Sequence, residues 1–149
     1  MKDMTLKGKW WITLYNGNDI KEQRVGDNVI CTNGKSFLAG FLASAAAAAS
    51  TFTMKYVAVG SVATGEAAAD TALGTELNRV AGTASSVAGA IYRVTATFAS
   101  GVGTGAIVEY GLFSTATTAA GTIFSRDTEA VVNKGANDTL VVITEVTIS

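Results

Sequence analysis

Three glutamates and three arginines are the residues of this chain best suited to chemistry. Glu76, Glu109 and Glu145 each lie in a segment that reads as a strand, and Arg79, Arg93 and Arg126 lie in similar surroundings. Paired carboxylates can act as general acid and base, or as acid and nucleophile in glycoside hydrolysis. Each of these glutamates also has an arginine on offer, so an ion pair or a sheet-face charge is the expected use. The chain has no His, which removes the usual general base near neutral pH and rules out a Ser-His-Asp or Cys-His arrangement. Cys31, the single cysteine, sits in "NVICTNG" and reads as a small half-buried residue beside a turn. An intrachain disulfide is impossible, and a metal site would need carboxylates alone. "GVGTG" at Gly101 to Gly105 lies between two strands, opens no helix and lacks the lysine of a phosphate loop, so it reads as a hairpin turn. "NGND" and "GANDT" offer oxygens to calcium without the spacing of a binding loop and read as plain turns. No enzyme, cofactor or metal site is expected.

Composition points to a surface that packs against other surfaces. At 149 residues the chain fits one domain spanning 1–149, long enough to bury a real core. Hydrophobic residues make up 48%, charged residues 15%, and the formal net charge is -1, so no nucleic-acid footprint is written into it. So little charge beside so much Gly, Ala, Ser and Thr is unusual for a lone monomer and suggests a life packed against other subunits. Lys7, Gly8 and Lys9 interrupt the N-terminus before any signal-length apolar run. "FLAGFLASAAAAAS" is too short and too weakly apolar to span a bilayer. A protein soluble in the cytoplasm of its cell, with no membrane partner, is expected.

Mainly β elements must position these residues. Residues 1–33 read as a three-stranded meander with turns at Asn16-Gly17, Gly26-Asp27 and Asn33-Gly34. In its first strand Trp10, Ile12 and Leu14 face one way and Trp11, Thr13 and Tyr15 the other. The aromatic groups on both faces fit either a core on one side with a neighbouring subunit on the other, or a Trp covering its own core edge. Residues 34–50 read as the single helix: Phe37, Leu38, Phe41 and Leu42 form a narrow apolar stripe, five alanines follow, and Asn33 or Ser36 could cap the start.

Residues 54–149 read as the main sheet. A strand of about eight residues from Met54 gives way to an aperiodic stretch from Val62 to Thr75, and Glu76 to Gly82 restarts as a strand or short helical turn. The aperiodic stretch is too small and uncharged to make a catalytic pocket and reads as an extended arm along a surface, with Glu76 and Arg79 anchoring it. "AIYRVTATFAS" and "GAIVEYGLFST" read as a hairpin, and the closing strand from Thr139 to Ile148 has Leu140, Val142, Thr144, Val146 and Ile148 on one face. The pattern predicts a β-sandwich or jelly-roll-like domain with one Ala-rich helix on its side.

Several of these segments, in their order, look familiar. "NVICTNGKSFLAGFLAS", "MKYVAVGSVATGEAAADTALGTELNRV", "AIVEYGLFS" and "VNKGANDTLVVITEVTIS" together resemble a group of small virion proteins of tailed bacteriophages. The positions that carry the likeness are Val57, Ala58, Val59 and Gly60, then Leu73, Glu76, Leu77 and Arg79, then Glu109, Gly111, Leu112 and Phe113. The resemblance covers most of the chain from about Asn28, although the loop "SVATGEAAAD" lacks the prolines such loops often carry. It implies a structural virion protein, assembled in the host cytoplasm and resident in the virion. A head decoration or cement protein is favoured, bound over seams of the major capsid protein as a trimer or dimer. A tail, collar or fibre component that binds other tail proteins or a host receptor is the alternative. Trp10, Trp11, Tyr15, Glu76 and Arg79 are the candidate interface residues, and deletion of residues 63–72 is expected to weaken assembly but leave the domain folded.

Overall fold

The computed structural model describes residues 3–43 and 54–149. Among the described residues nine strands and one helix follow in order as β1 Leu6–Asn16, β2 Asp19–Ile30, α1 Thr32–Ala43, β3 Tyr56–Gly60, β4 Glu76–Ala81, β5 Thr83–Val87, β6 Ile91–Phe98, β7 Gly105–Phe113, β8 Ile123–Lys134 and β9 Asp138–Ile148. All ladders are antiparallel, and the strand order is β4-β3-β7-β8-β2-β1-β9-β6-β5. The two end strands, β4 and β5, are consecutive in the chain and separated by Gly82 alone, whose N–H donates to the Lys55 carbonyl at 2.8 Å. The result is a nearly closed antiparallel sheet wrapped around its core.

Period-two alternation builds that core. Trp10, Ile12 and Leu14 of β1 are enclosed, as are Val94, Ala96 and Phe98 of β6 and Leu140, Val142 and Val146 of β9. Register explains how they meet: Ile12 stands opposite Val142, which stands opposite Ala96. β3 and β7 differ, being covered on both faces. Their second face carries a smaller cluster of Cys31, Ala58, Leu73, Phe113 and Ile123 with Tyr56 against it.

The structure departs from the sequence reading at five places. The N-terminal region holds two strands, because β2 runs straight through Gly26-Asp27. Gly26 pairs with Trp10 and leaves room for the Glu129 carboxylate where a Cβ would collide with it, so it serves close approach and not a turn. Asn33-Gly34 lies in the first turn of α1, where Gly34 presses on the Phe124 backbone. Neither Asn33 nor Ser36 caps this helix; Lys35 N–H donates to the Cys31 carbonyl at 3.2 Å and Thr32 N–H to the Ala68 carbonyl at 2.7 Å. Residues 44–50 of the expected helix lie outside the described residues. β5 was not legible as a strand at all, since "TASSV" is small and mostly exposed.

The fifth departure concerns the predicted hairpin. β6 pairs with β5 and β9, whereas β7 pairs with β3 and β8. The "GVGTG" stretch is therefore a crossing between distant parts of the sheet. Gly101 and Gly103 take φ of 77° and 64° to make it, a conformation that glycine adopts without strain. Gly101 N–H ties it to the Ala136 carbonyl at 2.8 Å.

Candidate functional site

The arm between β3 and β4 is held by charge from beneath. Glu109 on β7 is fully enclosed and accepts backbone hydrogen bonds from Val62 (3.2 Å), Gly74 (2.8 Å) and Thr75 (2.9 Å), so it grips both ends of the arm. Arg126 on β8 donates to Glu109 Oε2 at 2.9 and 3.3 Å, to Asp70 at 3.0 Å, and to the carbonyls of Thr64 and Gly65 at 2.9 and 3.3 Å. Every N–H of the guanidinium thus meets an acceptor, the condition under which a buried charge is tolerated. Burial opposes ionisation of Glu109, but the three backbone donors and Arg126 outweigh it and hold its pKa below the ordinary value. Burial also works against the Arg126 charge, and Glu109 and Asp70 overcome it and raise its pKa. Leu73 inserts beside Phe113 and completes the small second core.

A second ion pair clamps a different loop. Glu76 and Arg79, at the start of β4, meet side-on at 2.8 Å through both nitrogen–oxygen contacts. Arg79 Nη1 then donates to the carbonyls of Thr115 and Ala120 at 3.0 and 2.7 Å. Glu76 accepts from Ala119 N–H at 3.1 Å, at a residue whose φ of 57° needs such support. The guanidinium also lies 3.7 Å from the Phe113 ring centroid. Glu76 and Arg79 therefore fasten the 114–122 loop, and the anchoring of the arm falls to Glu109 and Arg126. The third glutamate, Glu145, accepts from Arg93 Nε at 2.6 Å across β9 and β6. All three glutamates are paired with the three arginines, as the charge pattern suggests.

The predicted interface residues separate. Trp10 is wholly enclosed, with its ring 6.1 Å from that of Tyr110, and the Glu76 and Arg79 side chains are 7% and 1% exposed; these three stabilise the chain itself. Trp11 and Tyr15 lie half-buried on the outer face of β1. Trp11 stands between Val25 of β2 and Ile143 of β9 in one cross-strand row, and Val25 is 56% exposed. Lys9 leans over the Trp11 ring at 5.5 Å.

Asp127 carries no signal in the sequence, whereas Cys31, expected half-buried, is fully enclosed, and "GANDT" is the turn expected of it. Asp127, one residue after Arg126, points to the inner face of the sheet and is 1% exposed, and its Oδ2 has no hydrogen-bond partner. Burial first, then Glu129 and Glu66, push its carboxyl up to about 7. The Cys31 thiol is pushed up to about 11, chiefly by burial, so it is no nucleophile near neutral pH. Asp138, in the "GANDT" turn, accepts from Lys21 (2.8 Å), Asn16 (2.9 Å) and Gly135 N–H (2.8 Å), which hold its carboxyl down to about 2.

Among the described residues no three acidic or cysteine side chains converge closely enough to hold a metal ion, and no helix is long and apolar enough to cross a membrane. No protein family, no curated protein and no solved structure matches the chain.

Proposed function

We propose that this protein is a structural component of a tailed-phage virion, and within that class a head decoration protein of sandwich-like build that binds over seams between capsid subunits. The observation that carries the reading is where the family-like residues fall. Val57 to Gly60 form β3, Gly111 to Phe113 lie beside it in β7, Leu73 and Glu109 fix the arm against them, and Glu76 and Arg79 fasten the adjoining loop. Three separate stretches of sequence thus converge on one buttressed unit whose product is an ordered, small-residue arm.

Such an arm suits a cement role. Residues 63–65 and 67–69 are exposed apart from their backbone anchors, and small side chains let a partner's backbone come close. Because Glu109 and Arg126 order the arm beforehand, docking does not have to freeze it. The outer row of Val25, Trp11 and Ile143 offers a second, flatter contact of the kind that symmetric oligomers use. With Trp10 enclosed, the aromatic cluster that would favour receptor binding at the tail is reduced to Trp11 and Tyr15.

Immunogold electron microscopy of intact particles tests the reading. Gold over the heads is the expected result. Gold confined to the tail would replace decoration with the tail or fibre role, and bare particles would remove the virion function altogether.

A further inference from the structure

The inner side of β8 carries a second charge arrangement that the arm does not use. β2 pairs with β8 only at Val29↔Arg126 and Ile30↔Ser125, so beyond this point the two strands part and leave a seam. Into it point Asp127 and Glu129 from β8. A Cβ on Gly26 of β2 would collide with Glu129 Oε1 and lie 3.3 Å from Asp127 Oδ2, so both carboxylate oxygens gather over the same notch. Asp127 Oδ2 has no partner, and neither has the hydroxyl of Tyr110, which stands opposite Asp127 in the ladder. Glu66 of the arm, bonded to Thr128 on the opposite face of β8, adds its negative field to both carboxyls.

Among the described residues no cation pairs directly with Asp127 or Glu129. Arg24 is the cation whose field reaches Glu129 and Tyr110, and its guanidinium is engaged by Glu22 at 3.1 Å and by the carbonyls of Gln23 and Val131 at 2.9 and 3.4 Å. A carboxylate enclosed to this degree with an oxygen unpaired is costly unless something compensates it. A glycine inside a strand is itself a weak choice unless close approach is needed.

We propose that the Asp127–Glu129 notch over Gly26 binds a hard divalent cation of the calcium type. Asp127 Oδ2 and Glu129 Oε1 would supply the charge, the unpartnered Tyr110 hydroxyl stands within the field of both carboxylates, and water would enter from the side of the half-buried Glu129. The donors are all oxygen, which selects calcium, magnesium or manganese over zinc or copper, and calcium best tolerates an irregular, partly hydrated shell. Two carboxylates make a weak site, with dissociation in the range of about 0.1–1 mM typical of sparsely charged calcium modules. The bound ion would hold Asp127 and Glu129 of β8 together beside Gly26 of β2, next to the point where the β2–β8 ladder is only two residue pairs long.

Terbium is the direct probe, because Trp10 and Tyr110 are packed together beside the notch and can pass excitation to it. The full-length protein, freed of metal by chelator, is titrated with terbium under tryptophan excitation, and calcium is then added in competition. Saturable emission that calcium displaces is expected, together with a rise in melting temperature on adding calcium alone. Asp127→Asn and Glu129→Gln should each weaken terbium binding by about tenfold or more, while Asp3→Asn at the exposed N-terminus leaves it unchanged. If Asp127→Asn fails to fold, Glu129→Gln at the half-buried position carries the test. Absence of saturable emission, failure of calcium to compete, or emission undiminished in the folded variants would overturn the proposal.

Discussion

β8 presents two buried charges on successive residues, and they live in opposite circumstances. Arg126 faces outward beneath the arm with every donor matched, and its main partner Glu109 is matched as well. Asp127 faces inward with an oxygen unmatched and further carboxylates for neighbours. Burial is almost the same, 2% against 1% exposed, so depth does not separate them. Pairing does: a buried charge with a full set of partners holds a structure together, and one without them is a demand for a ligand or a proton.

Neutralising each side sharpens the contrast, and the largest effect is expected from the paired one. Arg126→Met leaves Glu109 ionised and enclosed and strips the acceptors Thr64, Gly65 and Asp70 of their donor. A loss of about 3–5 kcal/mol in urea unfolding is expected. Asp127→Asn in chelator-treated buffer should instead hold or raise stability, by up to about 1 kcal/mol, because it removes an unpaired charge and keeps the shape. The same reasoning alters the expectation for residues 63–72. Their deletion would orphan Arg126 and remove part of the cover over Leu73, so the domain should lose stability as well as any partner contact.

Acid separates the two faces by another route. Glu109 and Asp138 are both held below ordinary carboxylate values, Asp138 at about 2. Above about pH 5.5 the unfolded chain is ionised at both positions as well, and their stabilisation is complete. As pH falls further, the unfolded chain takes up protons first, and the stabilisation is lost progressively until the folded pKa is passed. The urea midpoint should therefore decline between about pH 5 and pH 2, with the arm protected least at the acid end in hydrogen exchange. Glu109→Gln should flatten that decline. An undiminished slope in this variant would mean that Glu109 is not held as the geometry indicates.

The two faces were unequally legible in the sequence. Three glutamates beside three arginines suggested ion pairs, and the period-two pattern of β1 and of β9 as far as Val146 placed their cores correctly, because those strands are covered on one face and alternate cleanly there. β8 does not alternate. Two steps along β7, from Ile107 to Glu109, are matched by four along β8, from Val132 to Thr128, and a bulge of this kind shifts which residues face inward. Asp127 and Val132 both end up enclosed although their parity differs. Gly26 misled for a related reason: Gly-Asp is a turn signal in isolation, and only the presence of Glu129 across the seam reveals it as room for a side chain. The crossing at Gly101 to Gly105 could not be told from a hairpin, since local residues fix the turn and the remote cover on both faces of β7 decides its neighbours.

Glycines at the two faces supply the finest comparison, with the smallest expected effect. At Gly60 a Cβ would meet the Glu109 carboxyl and lie 2.5 Å from the Thr75 carbonyl oxygen. Both are pinned, one by Arg126 and the backbone N–H groups, the other by the Ser61 hydrogen bond at 3.0 Å. Gly60→Ala has nowhere to send the strain and should cost about 1–3 kcal/mol. At Gly26 the group in the way is the end of the Glu129 side chain, which is half-buried and flexible and can swing toward the seam opening. Gly26→Ala also gains from the stiffer unfolded chain, by about 0.4–1 kcal/mol. The two terms nearly cancel, and a thermal melt within about 1 kcal/mol of the parent protein is expected, accompanied by loss of the calcium-induced shift. A Gly26→Ala protein as damaged as Gly60→Ala would mean that the notch is as tightly built as the arm's foundation, and the contrast between the two faces of β8 would fall.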